Sequence, residues 1–91
     1  MSVILVTGSS TGIGQETALH MARKGHDVYG AVRSPETATE LKDLIAAEDL
    51  PVSVIKLDLV DPDSIVTAVA EIMARSGRID ALVNNAGIGG G

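Results

Sequence analysis

The chain has 91 residues, of which 45% are hydrophobic and 21% charged, and its formal net charge is −5. This apolar content excludes a disordered chain, and the acidic balance argues against a nucleic-acid partner, because no basic stripe is available to neutralise phosphates. The sequence has no cysteine, which excludes disulfides and thiolate metal sites, and its two histidines are too few for a metal cluster.

The first half of the chain alternates between short apolar runs and a helical pattern. Residues 3–6 form a continuous apolar run, as expected of a strand that is buried on both faces. A first helix follows, whose core-facing residues recur at helical spacing: Ile13, Thr17, Ala18, Met21 and Ala22. Lys24 and Gly25 supply a stop for this helix. Residues 28–32 then predict a second strand.

The second half repeats this alternation twice. Ser34, Pro35 and Glu36 are interpreted as the N-cap, the first helical position and a first-turn acid. The apolar residues of that helix are Ala38, Leu41, Leu44 and Ile45. Residues 52–57 predict a third strand, and residues 81–83 a fourth. Between them, residues 61–63 cap a third helix that ends at residues 76–77 and places four apolar residues on one face: Ile65, Val69, Ile72 and Met73.

The predicted element order is β-α-β-α-β-α-β, which indicates an α/β fold with a parallel sheet. Right-handed crossovers give the strand order 3-2-1-4, with the first two helices on one face and the third on the other. The fold is therefore predicted as a three-layer, Rossmann-type domain over residues 1–91. Its fourth strand is expected to be an open edge, through which an isolated chain could self-associate.

A glycine-rich segment between the first strand and the first helix, here called the glycine turn, is the strongest functional signal. It consists of Thr7, Gly8, Ser9, Ser10, Thr11, Gly12, Ile13 and Gly14. A glycine turn between strand and helix is typical of sites that hold the pyrophosphate of a dinucleotide at a helix N-terminus. The serine and threonine hydroxyls could add hydrogen bonds. The alternative is a strand-to-helix turn without a ligand, whereas a Walker A loop is excluded because no Lys-Ser or Lys-Thr follows the last glycine.

This spacing of glycines resembles the cofactor motif of the short-chain dehydrogenase/reductase family. Asn84, Asn85, Ala86 and Gly87 resemble the second signature of that family, at the end of the fourth strand. The resemblance implies an oxidoreductase that transfers hydride between a nicotinamide cofactor and a carbonyl or alcohol. It also implies that Asp58 bonds the adenine amino group, that Leu59 lines the same pocket, and that residues 84–87 lie against the ribose beside the nicotinamide. Alternatively, Asp58 is a loop acid before a helix and Asn84 satisfies main-chain groups between strands.

The end of the second strand indicates which nicotinamide cofactor is preferred. A carboxylate there would bond the ribose 2′-hydroxyl of NAD, but the position is Val32, and Arg33 follows it. An arginine can pair with a 2′-phosphate through two hydrogen bonds, and Ser9 could contact the same phosphate. The sequence therefore predicts a preference for NADP(H), with NAD(H) as the alternative and a solvated loop charge as the other role for Arg33.

No catalytic residue is identified in this chain. The family resemblance implies a serine and a Tyr-x-x-x-Lys pair for proton transfer to the substrate oxygen, and these lie downstream of the Asn-Asn-Ala-Gly signature. The single tyrosine, Tyr29, lies in the second predicted strand, and Arg33 rather than lysine stands four residues later. We expect the chain to be the cofactor-binding part of a larger fold and inactive by itself. The alternatives are a dinucleotide-binding module without catalysis and a purely structural fragment.

The cellular location and the binding partners are inferred from general features of the sequence. Residues 1–6 lack the basic region of a signal peptide and are too few for a membrane span, so a cytoplasmic protein without a membrane partner is expected. The resemblance implies homo-oligomers, and a fragment could self-associate. The substrate is not encoded in these residues.

Overall fold

Four parallel strands form a single sheet at the centre of the protein. The computed structural model describes residues 2–9 and 12–84. Its strands are β1 (Val3–Val6), β2 (Asp27–Val32), β3 (Val52–Lys56) and β4 (Ala81–Val83). They pair in the order β3-β2-β1-β4, with every pairing parallel. This confirms the predicted Rossmann-type α/β topology.

Three α-helices cover the two faces of the sheet: α1 (Gly12–Arg23), α2 (Thr39–Glu48) and α3 (Pro62–Ser76). Helices α1 and α2 pack on one face, where Ala18 and Ala22 of α1 meet the β-branched side chains of β1. Helix α3 packs on the other face, with Ala68 and Ile72 against the alternate residues of β1, β2 and β3. The central strands β1 and β2 therefore bury both of their faces, which explains the continuous apolar runs in the sequence.

The third helix begins and ends as the sequence predicts. Asp61 is its N-cap, and Asp61 Oδ1 accepts a hydrogen bond from the main-chain N–H of Asp63 at 3.1 Å. Gly77 ends the helix in the left-handed conformation, with φ of 76°. The predicted apolar face is only half buried, because Ile65 and Ile72 pack on the sheet whereas Val69 and Met73 are 37% and 45% exposed.

The start of the second helix differs from the prediction. Pro35–Thr37 form a separate 3-10 helix, and Ser34 makes no side-chain cap. Ala38 then leaves the helical region, with ψ of 50°, and α2 begins at Thr39. A three-residue 3-10 helix begins with the same N-cap and proline signals as an α-helix, so the sequence pattern alone does not separate the two.

Strand β4 lies at one edge of the sheet and pairs, within the described part of the chain, with β1. Its Leu82 is 60% exposed, and Val66 on α3 is also exposed. An edge strand and exposed apolar side chains each favour association. Self-association of the chain stays a prediction. None of the helices in the described ranges is both long and apolar enough to span a membrane.

Candidate cofactor site

The segments that follow the four strands meet at one edge of the sheet, because all four strands run in the same direction. The glycine turn follows β1, Arg33 follows β2, Asp58 lies two residues after β3, and Asn84 follows β4. Helix α1, which follows β1, packs on one face, whereas α3, which leads into β4, packs on the other, so the connections change sides between the neighbouring strands β1 and β4. In open α/β sheets ligands bind at this switch point, outside the carboxyl ends of the strands.

Close packing between main-chain atoms shapes the glycine turn. Gly8 and Gly12 have φ of 63° and 60°, a region that side chains disfavour. Gly14 lies directly against Gly8: a Cβ at position 14 would overlap the Gly8 carbonyl oxygen and lie 2.7 Å from its carbonyl carbon. The third glycine is therefore required for α1 to begin so close to the end of β1.

The start of α1 is suited to an anion. The first N–H groups of an α-helix have no partner within the helix, and the helix dipole places partial positive charge there. The first turn of α1 contains no acidic residue, unlike the first turns of α2 and α3. Ile13 was expected on the core-facing side of the helix, but it is 77% exposed, whereas Gly14 and Gln15 in the same turn are buried. Its side chain is accessible to a ligand.

The side chain of Ser9 has a different role from the one expected. Its Oγ donates a hydrogen bond to the Val6 carbonyl at 2.7 Å, and the residue is fully buried against Gly30. The Ser9 N–H donates to the Ala31 carbonyl at 3.0 Å. The predicted contact of this hydroxyl with a phosphate finds no support in the geometry, because the hydroxyl instead fixes the turn to β1.

Thr7 and Asn84 join the ends of β1 and β4. The Thr7 hydroxyl donates to Asn84 Oδ1 at 2.8 Å, and the Thr7 N–H donates to the Val83 carbonyl at 2.9 Å. The Asn84 side chain therefore ties the two strand ends together through the Thr7 hydroxyl, whereas the alternative role expected it to bond main-chain groups. A cofactor contact of Asn84 stays a prediction. Thr7 belongs to the glycine turn identified in the sequence, but its link to the end of β4 was not predicted, because it joins residues 77 positions apart.

Arg33 and Asp58 follow β2 and β3, the two strands that lie on one side of β1 in the sheet. Arg33 is exposed, and its side chain has no ion-pair or hydrogen-bond partner within residues 2–9 and 12–84. Val32, the last residue of β2, is buried, and neither it nor Arg33 carries a carboxylate. Asp58 Oδ1 accepts a hydrogen bond from the Val60 N–H at 3.1 Å, which supports a loop role. Leu59 is 41% exposed at the same edge.

Five of the residues expected at the site lie outside the described residues: Ser10, Thr11, Asn85, Ala86 and Gly87. The structure therefore brings together one part of the predicted site, from the glycine turn to Arg33, Asp58 and Asn84. Within residues 2–9 and 12–84, no group of three or more histidine, aspartate or glutamate residues is placed to hold a metal ion.

Comparison with known proteins identifies the family. The family model described as "short chain dehydrogenase" matches residues 2–91. The chain belongs to the short-chain dehydrogenase family. Members of this oxidoreductase family bind nicotinamide dinucleotides, which agrees with a glycine turn at the carboxyl edge of the sheet.

Relatives and solved structures extend this result. The chain is 43% identical over 88 residues to an uncharacterized oxidoreductase of Schizosaccharomyces pombe, covering 94% of this chain and 26% of that protein. It is 38% identical over 86 residues to the 3-oxoacyl-[acyl-carrier-protein] reductase FabG of Escherichia coli, covering 94% of this chain and 34% of that protein. A structure of menthone neomenthol reductase from Mentha piperita superimposes with a TM-score of 0.88 at 34% identity, covering 96% of this chain and 32% of the other. The chain thus spans about a third or less of these proteins.

Proposed function

We propose that this chain is the cofactor-binding portion of a short-chain dehydrogenase/reductase and that it prefers NADP(H). In this proposal, the start of α1 and the turn from Gly8 to Gly14 hold the pyrophosphate. Arg33 pairs with the 2′-phosphate, and Asp58 and Leu59 border the adenine. Residues 84–87 border the ribose beside the nicotinamide. When bound, the nicotinamide would supply or accept the hydride of a carbonyl–alcohol interconversion.

The observation that carries the cofactor preference is the exposed guanidinium at the end of β2. Arg33 lies at the same sheet edge as the glycine turn and has no protein partner in the described ranges. An exposed arginine that forms no ion pair with the protein attracts a phosphate, and it can bind two phosphate oxygens at once. A carboxylate at this position would instead repel the 2′-phosphate and bond a ribose hydroxyl.

Substitution of Arg33 tests this preference. A hydrogen bond to a charged group contributes about 1.5–3 kcal/mol, so Arg33→Ala should weaken NADPH binding by about 10- to 150-fold. NADH, which lacks the 2′-phosphate, should be affected by less than about threefold. Dissociation constants from equilibrium titration of each dinucleotide, followed by nicotinamide fluorescence, provide the measurement.

Lys24→Ala is the matched control for this experiment. It removes the same charge from an exposed residue that follows the other end of α1, distant from the proposed site. It should leave both dissociation constants unchanged within about twofold. Arg33→Asp extends the series, because the new carboxylate would repel a 2′-phosphate. If Arg33→Asp leaves the NADPH affinity at the wild-type value, the assignment of Arg33 is wrong.

We also propose that this chain alone does not transfer hydride. The Tyr29 hydroxyl forms a 2.6 Å hydrogen bond with Ser76 Oγ, where α3 ends, and the residue is buried. The helix runs antiparallel to the strands of a β-α-β unit, so its end lies at the edge of the sheet opposite the glycine turn. This tyrosine is therefore not placed to exchange a proton with a substrate at the cofactor edge. A cytoplasmic location stays a prediction of the sequence.

A further inference from the structure

A buried amide connects the glycine turn to the second helix. Gln15 directly follows Gly14 in the first turn of α1 and is 5% exposed. Its Nε2 donates a hydrogen bond to Glu40 Oε1 at 2.8 Å, and Glu40 lies in the first turn of α2. The other polar atom of the amide, Gln15 Oε1, is buried and has no hydrogen-bond partner among residues 2–9 and 12–84. Because an unpaired buried acceptor is costly, this link between two helices is not explained by stability alone.

The same side of α1 packs against the segment that carries Arg33. Leu19 lies one helical turn after Gln15 and therefore on the same side of the helix. It forms a buried cluster with Val32, Ala38 and Leu41. Val32 and Ala38 are the residues at the two ends of the segment 33–37. The hydrophobic cluster thus fixes both ends of this segment to α1, and the Gln15–Glu40 hydrogen bond adds a polar link nearer to the glycine turn.

We propose that Gln15 and Glu40 are positioning residues that set Arg33 relative to the glycine turn. This inference rests on the proposed function. A dinucleotide phosphate held at the start of α1 and a 2′-phosphate held by Arg33 are attached to the same ribose, so the distance between the two protein anchors must stay within the range that one ribose can span. Paired hydrogen bonds between a guanidinium and a phosphate depend strongly on orientation. A tie between α1 and α2 restricts how far segment 33–37 can move from the turn.

The structure allows this role to be separated from folding. Gln15→Leu replaces the amide with an apolar side chain of similar size and removes the unpaired acceptor. The carboxylate that it leaves behind belongs to Glu40, an exposed residue, so water can replace the lost donor. The variant should therefore remain folded, with a thermal unfolding midpoint close to that of the wild-type chain.

A double-mutant cycle between Gln15 and Arg33 is the test. If Gln15 acts through Arg33, Gln15→Leu should weaken NADPH binding by about fivefold in the wild-type background. In the Arg33→Ala background the same substitution should change it by less than about twofold, because the group it positions is gone. NADH binding, which does not use the 2′-phosphate contact, should change by less than about twofold in both backgrounds.

Substitutions of Glu40 supply the rescue and the control. Glu40→Gln keeps an oxygen that can accept from Gln15 Nε2 and should bind NADPH as the wild-type chain does. Glu40→Ala removes the acceptor and should reproduce the effect of Gln15→Leu. Asp43→Ala, one turn further along α2 and also exposed, removes a carboxylate without touching the link and should have no effect.

Two results would overturn the inference, and a third would overturn its premise. An equal loss of NADPH affinity in both Arg33 backgrounds would show that Gln15 does not act through Arg33. Unchanged NADPH affinity in a folded Gln15→Leu chain would show that the link has no positioning role. A wild-type chain that binds neither NADPH nor NADH would instead overturn the proposed function itself, and this inference with it.

Discussion

A Gly14→Ala substitution tests the close packing between α1 and the end of β1. The added methyl group would overlap the Gly8 carbonyl oxygen and lie 2.7 Å from the Gly8 carbonyl carbon and 3.3 Å from Ser9 Cα. All three neighbours are main-chain atoms, so no flexible side chain can move aside. To restore ordinary contacts of about 3.5 Å, the start of α1 must move away from the turn.

The expected cost is at the upper end of the range for overpacked sites. Inserting a methyl group into a well-packed core costs about 1–3 kcal/mol, and here the backbone must move, so we expect a loss of about 3 kcal/mol in the free energy of unfolding. For a domain of this size that corresponds to a fall of about 12 °C or more in the unfolding midpoint. Denaturant titration followed by circular dichroism measures the loss.

Gly30→Ala provides the matched control, because it adds the same methyl group to a different buried glycine. Its Cβ would lie 3.5 Å from Ser9 and Val52 side-chain atoms, which is ordinary contact. This variant should be neutral or more stable by up to about 1 kcal/mol, since alanine loses less backbone entropy than glycine in a strand. If Gly14→Ala unfolds within about 0.5 kcal/mol of the wild-type chain, the packing described for the glycine turn is wrong.

Two further predictions concern acid stability and catalysis. Hydrogen bonds from the Val3 N–H, at 2.7 Å, and from Arg78 lower the pKa of Asp80. This carboxylate therefore stabilises the fold at pH values above its unfolded-state pKa. The contribution is lost as the pH falls through its folded-state pKa. Between about pH 7 and pH 3, the unfolding midpoint should therefore fall more in the wild-type chain than in Asp80→Asn. The control variant Asp43→Asn should behave as the wild-type chain does. Equal falls in all three proteins would contradict this role of Asp80. The purified chain should also show no steady oxidation of NADPH with carbonyl compounds, measured by absorbance, and a sustained rate above the protein-free control would refute its inactivity.

The sequence predicts the fold well, because each strand is a short apolar run that neighbouring residues alone reveal. The run from Val3 to Val6 is apolar throughout, and parallel strands joined by helices leave few topologies once right-handed crossovers are required. The first and last residues of the third helix were predicted correctly, because Asp61 caps its start through a side-chain hydrogen bond and Gly77 ends it in the left-handed conformation. Ser34 carries the same kind of signal, but the 3-10 helix after it also begins with a proline, so the signal does not fix the length of the helix.

The site was harder to predict where it depends on tertiary contacts. The positions of the glycines follow from the motif, but the direction of the Ser9 hydroxyl depends on how the turn folds back on Val6. The link between Gln15 and Glu40 joins residues 25 positions apart in separate elements, and neither residue is unusual in a helix. Only the packing of α1 beside α2 brings them together.

Direct titration of the wild-type chain with NADPH and NADH tests the central claim. The glycine turn and the exposed Arg33 predict saturable binding of NADPH, at least about tenfold tighter than that of NADH, with the difference abolished in Arg33→Ala. Tighter binding of NADH than of NADPH would contradict the assignment of Arg33. Failure of a folded chain to bind either dinucleotide would contradict the account of the glycine turn as a cofactor site.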